Sequence, residues 1–142
     1  MHNDLEHFVA HLQTVNRHLR SAVFDRGQQP ITRVQWLLMR HLDRSGGSTI
    51  GQLAERLDVR ASTMSQMLDR LEKQGFLLRQ QDPADARVKL IRLTAEGEHI
   101  IRQTETYWLE SLAEPFNKLE PQEREQLAGL MRRLAEQIQG RE

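Results

Sequence analysis

From Asp4 to Val23 the apolar residues Leu5, Phe8, Val9, Leu12, Val15, Leu19 and Val23 recur at spacings of three and four, which lines them up as one stripe on a helix. The segment DRGQQP, residues 25–30, ends that helix. Thr32 and Gln35 stand at capping-box spacing, with Ile31 and Trp36 at the positions of a hydrophobic staple, so a second helix starts on Thr32 and runs to about Asp43 before RSGGS. Thr49 and Gln52 repeat the box, and Leu53, Ala54 and Leu57 predict a short helix ending near Asp58. After the turn DVRA, a further helix is predicted from Ser62 to Gln74, with Met64, Met67, Leu68 and Leu71 inward and Gly75 as its stop. Two short helices joined by a tight turn form a candidate helix-turn-helix, although its turn lacks glycine and its cap position holds Arg60.

The period then changes. FLLRQ (76–80) and VKLIRL (88–93) read as strands around the turn QDPADAR. Thr94 caps a long helix carrying Ile100, Ile101, Thr104, Tyr107, Trp108, Leu112, Phe116 and Leu119, which Pro115 should kink or end. Pro121 opens a last helix with Leu127, Leu130, Met131, Leu134 and Ile138 on one stripe. Repeats and low-complexity segments are absent from the sequence.

Composition narrows this pattern to one domain. The 142 residues are 38% hydrophobic, enough for a single core with some apolar surface left for self-association. The absence of cysteine excludes a disulfide framework and thiolate-held zinc. No apolar run approaches a membrane span and the start MHNDLEHF lacks a signal-peptide pattern, so the expectation is a soluble cytoplasmic protein without a membrane partner. The net charge is zero but uneven: residues 1–55 hold 6 basic and 5 acidic residues, residues 56–92 hold 8 and 5, and residues 93–142 hold 6 and 10. The middle third, at net +3, is the part suited to phosphates.

In TIGQLAERLDVRASTMSQMLDRLEKQGFLLRQ and DPADARVKLIRLTAEG the chain resembles the MarR family of bacterial transcriptional regulators. The second segment carries the family's wing signature of Asp-Pro, Asp, Arg, then Leu-Thr and a Gly. The resemblance implies a mainly α winged helix-turn-helix homodimer: dimerisation helices at 1–26 and 118–142, a DNA-binding region at 32–94 with the hairpin as wing, and a connecting helix at 95–117. It further implies a repressor on pseudo-palindromic double-stranded operator DNA, released by a small-molecule effector and needing no cofactor.

The residues support this chemistry independently. With the apolar side of the 62–74 helix inward, Ser62, Thr63, Ser65, Gln66, Asp69 and Arg70 face out. Hydroxyls near a helix start suit phosphate, and Gln suits the two edge atoms of adenine. Ser62, Thr63, Ser65 and Gln66 are thus expected in the groove and Arg70 on the phosphate backbone, the plain alternative being an ordinary solvated polar face. In the wing, Asp85 and Arg87 could simply form a surface ion pair; the resemblance implies that Asp85 orients Arg87 into a narrow minor groove. Arg79 and Lys89 are expected along the stem, near phosphate.

Three further readings compete. Trp36, Tyr107 and Trp108 stand where the family places an effector pocket, or are core. His7, His11, His18, His41 and His99 permit a metal-responsive regulator of the same fold, but matching acidic partners are not evident and no metal site is expected. A winged-helix module that binds only protein is the third, and the basic residues of the recognition helix and wing count against it. An enzyme is not expected, since the chain has no glycine-rich phosphate loop after a strand, no HExxH and no nucleophile elbow.

Overall fold

Two capping boxes start the central helices. In the computed structural model, which describes residues 2–25 and 30–140, the Thr32 hydroxyl accepts from the Gln35 N–H at 3.2 Å and the Gln35 side chain accepts from the Thr32 N–H at 2.9 Å. α2, Arg33–Ser45, begins there and stops at Gly46, whose φ of 76° is left-handed. Thr49 and Gln52 repeat the reciprocal bonds at 3.1 and 3.0 Å and start α3, Ile50–Leu57. Each box satisfies backbone donors that a helix start leaves unpaired.

The helix-turn-helix needs no glycine because Asp58 does its work. Asp58 sits at φ 52°, ψ 49°, the Val59 N–H donates to the Ala54 carbonyl at 3.0 Å and the Asp58 N–H to the Glu55 carbonyl at 3.2 Å. This is a Schellman closure on an aspartate, one of the few side chains that tolerates left-handed backbone. α4, Ala61–Lys73, follows, one residue earlier at each end than the spacing predicts. It closes on Gly75 at φ 83°, with the Phe76 N–H on the Leu71 carbonyl at 3.0 Å.

β1, Leu77–Gln81, and β2, Lys89–Leu93, pair antiparallel, with Leu77 opposite Leu93 and Gln81 opposite Lys89. Ser48 adds a rung that hydropathy does not show: its N–H and carbonyl exchange bonds with Ile91 at 3.1 and 2.7 Å. The Thr94 hydroxyl donates to the Gly75 carbonyl at 2.6 Å and accepts from the Gly97 N–H at 3.1 Å, tying the hairpin end to the end of α4. Gly97 itself packs against the Phe76 carbonyl so closely that a Cβ would overlap it. The Leu-Thr and Gly of the wing signature thus have a steric and hydrogen-bonding reason.

α5 is Ala95–Asn117: the helix does not end at Pro115 but passes through it and ends two residues later. Proline removes the bond that the Ser111 carbonyl would accept, and that carbonyl receives the Nε2–H of His18 at 2.9 Å instead. α6 is Pro121–Gln139. α1 spans His2–Arg20 and continues as a π-helical turn, Ser21–Asp25, rather than as one regular helix to Val23. The rest of the stop segment, residues 26–29, lies outside the described residues.

The core gathers Leu38, Met39 and Leu42 of α2, Leu53 of α3, Met64, Leu68 and Leu71 of α4, Phe76, Leu77 and Ile91 of the hairpin, and Ile101 of α5. By contrast α1 and α6 bury no residue completely. Their stripes are left open, with Leu5, Leu130 and Ile138 each close to 60% exposed, at 59%, 58% and 59%. No described helix is long and apolar enough to cross a membrane.

Candidate nucleic-acid interface

Burial of Met64, Leu68 and Leu71 fixes which side of α4 meets solvent. Ser62, Thr63, Gln66, Asp69 and Arg70 are exposed, and Ser65 is half-buried. Met67, predicted inward, is only half-buried. Arg60, at the N-cap, makes no side-chain capping bond and is exposed. The first-turn amides of α4 therefore remain open to an anion, with a cation at hand. The cap position that weakens the helix-turn-helix signal in the sequence is the same feature that leaves this helix start uncapped.

The hairpin tip is a prebuilt arginine mount. The Asp82 carboxylate accepts from the Ala84 N–H at 2.9 Å, and the Asp85 carboxylate from the Arg87 N–H at 3.0 Å, so each aspartate closes its own turn. The Asp85 Oδ1 also accepts from the Arg87 Nε at 3.2 Å, and Oδ2 from Nη2 at 3.5 Å. The Arg87 side chain is nevertheless 91% exposed. The Arg87 side-chain bonds, and then its backbone N–H, hold the Asp85 carboxyl below its ordinary pKa. The ion pair is formed, and the same bonds fix the direction of the exposed Arg87 side chain.

Lys89 is exposed at the start of β2, as expected of a stem cation. Arg79 is placed differently. Its Nη2 lies 2.9 Å from Asp69 Oδ1 and its Nη1 3.5 Å from Glu72 Oε2, so it reaches the recognition helix and is largely sheltered.

Trp36 and Trp108 meet edge-on at 4.4 Å between ring centres, with Phe24 against both at 6.4 and 6.2 Å. The Trp108 indole donates to the Leu19 carbonyl at 3.2 Å, whereas the buried Trp36 Nε1 has no partner among the described residues. The Arg40 guanidinium lies 5.1 Å over the Trp36 ring, its pKa lowered by burial and then by Arg44. Together with Arg20, Arg33 and Asn16 these residues line a cavity of about 270 Å³. Tyr107 is half-buried and takes no part in it. Trp36 belongs to the core and also walls this cavity.

Of the histidines, His18 is engaged by Ser111 and His41 by the Ser48 hydroxyl at 3.4 Å. Burial, and then Arg56, lower the His41 pKa, favouring its neutral form. No group of three or more His, Asp or Glu side chains suited to a metal ion occurs among the described residues.

Known proteins share this arrangement. Residues 31–89, the segment from α2 to the start of β2, match the MarR family. YsmB of Bacillus subtilis (strain 168), an HTH-type transcriptional regulator, is 34% identical over 124 residues, 84% of each chain. A MarR family protein from Bacillus stearothermophilus superposes with a TM-score of 0.80 at 24% identity, over 96% of this chain and 94% of that one. An S. aureus MepR mutant solved bound to an oligodeoxyribonucleotide gives 0.67 at 21% identity, over 97% and 98%; these two likenesses establish the fold. With the relative's identity and coverage added to the winged helix-turn-helix geometry, the chain belongs to the MarR family of HTH-type transcriptional regulators.

Proposed function

We propose that the protein is a homodimeric repressor that reads a pseudo-palindromic operator with α4 in the major groove and Arg87 in the flanking minor groove. The observation that carries this is the Asp85–Arg87 tip: a cation held by two side-chain bonds yet 91% exposed has been preorganised for a partner outside the chain. Gln66 and the hydroxyls of Ser62, Thr63 and Ser65 read or anchor the groove, while Arg70 and Lys89 meet phosphate. The bare stripes of α1 and α6 supply the dimer contact. Two-fold symmetry then sets half-sites about one helical turn apart, roughly 34–36 Å.

Selection of bound duplexes from random DNA tests the reading, with a pseudo-palindrome as the expected product. Gln66→Ala is expected to relax preference at one base position per half-site, worth about 1–3 kcal/mol of discrimination there. Equal weakening for all sequences would make Gln66 a backbone contact.

The cavity lined by Trp36 and Trp108 is the effector site in this reading. Flat aromatic walls and three arginines suit an anionic ring compound. Such a ligand is expected to alter tryptophan fluorescence and to release operator from the protein in the same titration. Release with unchanged fluorescence would place the effector elsewhere.

A further inference from the structure

Arg79 is the third residue of β1, two after the buried Leu77, and stands opposite the fully buried Ile91. Alternation along a strand puts it on the inward face with Leu77. Its side chain therefore runs beneath the hairpin onto α4, where one guanidinium faces two carboxylates, Asp69 at 2.9 Å and Glu72 at 3.5 Å. The arginine side chain is 27% exposed, against 56% for Asp69 and 43% for Glu72. Its Nε is buried with no partner among the described residues.

The two acids occupy an awkward place. Asp69 lies three residues after Gln66 and Glu72 three after Asp69, so they continue the exposed row that begins at the base-reading end of the helix. Two open carboxylates there would repel phosphate. We infer that Arg79 is a positioning residue for recognition: it masks Asp69 and Glu72, allowing α4 to lie against DNA, and does not itself contact the duplex. The inference rests on α4 being the recognition helix. Reaching a phosphate would require Arg79 to abandon both carboxylates and leave them facing the same polyanion.

A mutant cycle on the full-length protein decides this, read as affinity for its selected operator and as thermal midpoint. Arg79→Met keeps the apolar stem and removes the charge; it is expected to bind about tenfold more weakly, since each protomer then presents two unmasked carboxylates to phosphate, Asp69 the more closely paired of them. Asp69→Asn alone should stay within about threefold of the unaltered protein, and adding it to Arg79→Met should recover most of the loss, because the two residues act as one unit. Arg79→Gln retains a donor for Asp69 but no charge, so it is expected to be equally weak and equally rescued, and it carries the test if the Met variant is unfolded. A silent Arg79→Met, or a double variant as weak as Arg79→Met, overturns masking in favour of a spectator, a phosphate contact or a plain brace. If Gln66→Ala and Arg87→Ala are silent as well, the operator-reading proposal falls with it; if both respond, masking alone is lost.

Discussion

Arg87→Ala is expected to weaken operator binding by about 100-fold, because each dimer loses two charge-assisted contacts of about 1.5 kcal/mol or more. The steepness of the salt dependence should fall by about two units, one for each arginine. Thermal stability should barely change, since the side chain is 91% exposed and pairs only with a neighbouring surface carboxylate. Asp85→Ala should cost less than Arg87→Ala, and the double variant should match Arg87→Ala alone, because a mount has no task once its arginine is gone. Unchanged affinity and salt slope in Arg87→Ala, or simple addition of the two effects, would reduce the wing to a structural hairpin. The Asp85 shift gives the sign of the pH response: its carboxyl is depressed by Arg87, so its support of the tip is complete above the ordinary carboxylate range and is lost as pH falls through the depressed value.

Breaking the proposed dimer is expected to have the larger effect still. Leu130→Glu combined with Ile138→Glu should yield a folded monomer in light scattering, since neither side chain contributes to the protomer core and both stand more than half exposed. Operator affinity should then drop by about 10²–10⁴-fold, the second half-site no longer being delivered at high effective concentration. Deleting residues 1–23 would test the same interface less cleanly, because it removes Val23, which is fully buried. An intact protein that runs as a monodisperse monomer at micromolar concentration would defeat the two-fold reading.

The interface was legible to different depths. Asp85 and Arg87 lie two residues apart, and their bonds close within one turn, so spacing shows the ion pair, whereas the orienting role of Asp85 is what the family resemblance implies. The outward row of α4 followed from four apolar positions, although Met67 turned out half-buried. Arg79 is expected from its charge to lie along the stem near phosphate, and the structure pairs it with Asp69 and Glu72; its distance of two from Leu77 is the sequence sign of that inward direction. The Trp36–Trp108 contact joins α2 to α5, and helical spacing within either element says nothing about which aromatic of the other it will meet. Tyr107, next to Trp108 in sequence, does not line the cavity that Trp36 and Trp108 share.

What the amino-acid sequence determined alone is everything whose cause is local: both capping boxes, the helix stripes, the change of period at the hairpin and the aspartate-closed turns of the tip, all set by residues within about four positions of each other. What only the tertiary structure decided depends on which surfaces meet. Pro115 sits within its helix while His18 of α1 occupies the carbonyl it leaves open, Ser48 extends the hairpin from far up the chain, and Arg79 spends its charge on α4. Each pairs a group with a partner in another element, and such a pairing is selected by packing of the common core, which no short window of sequence contains.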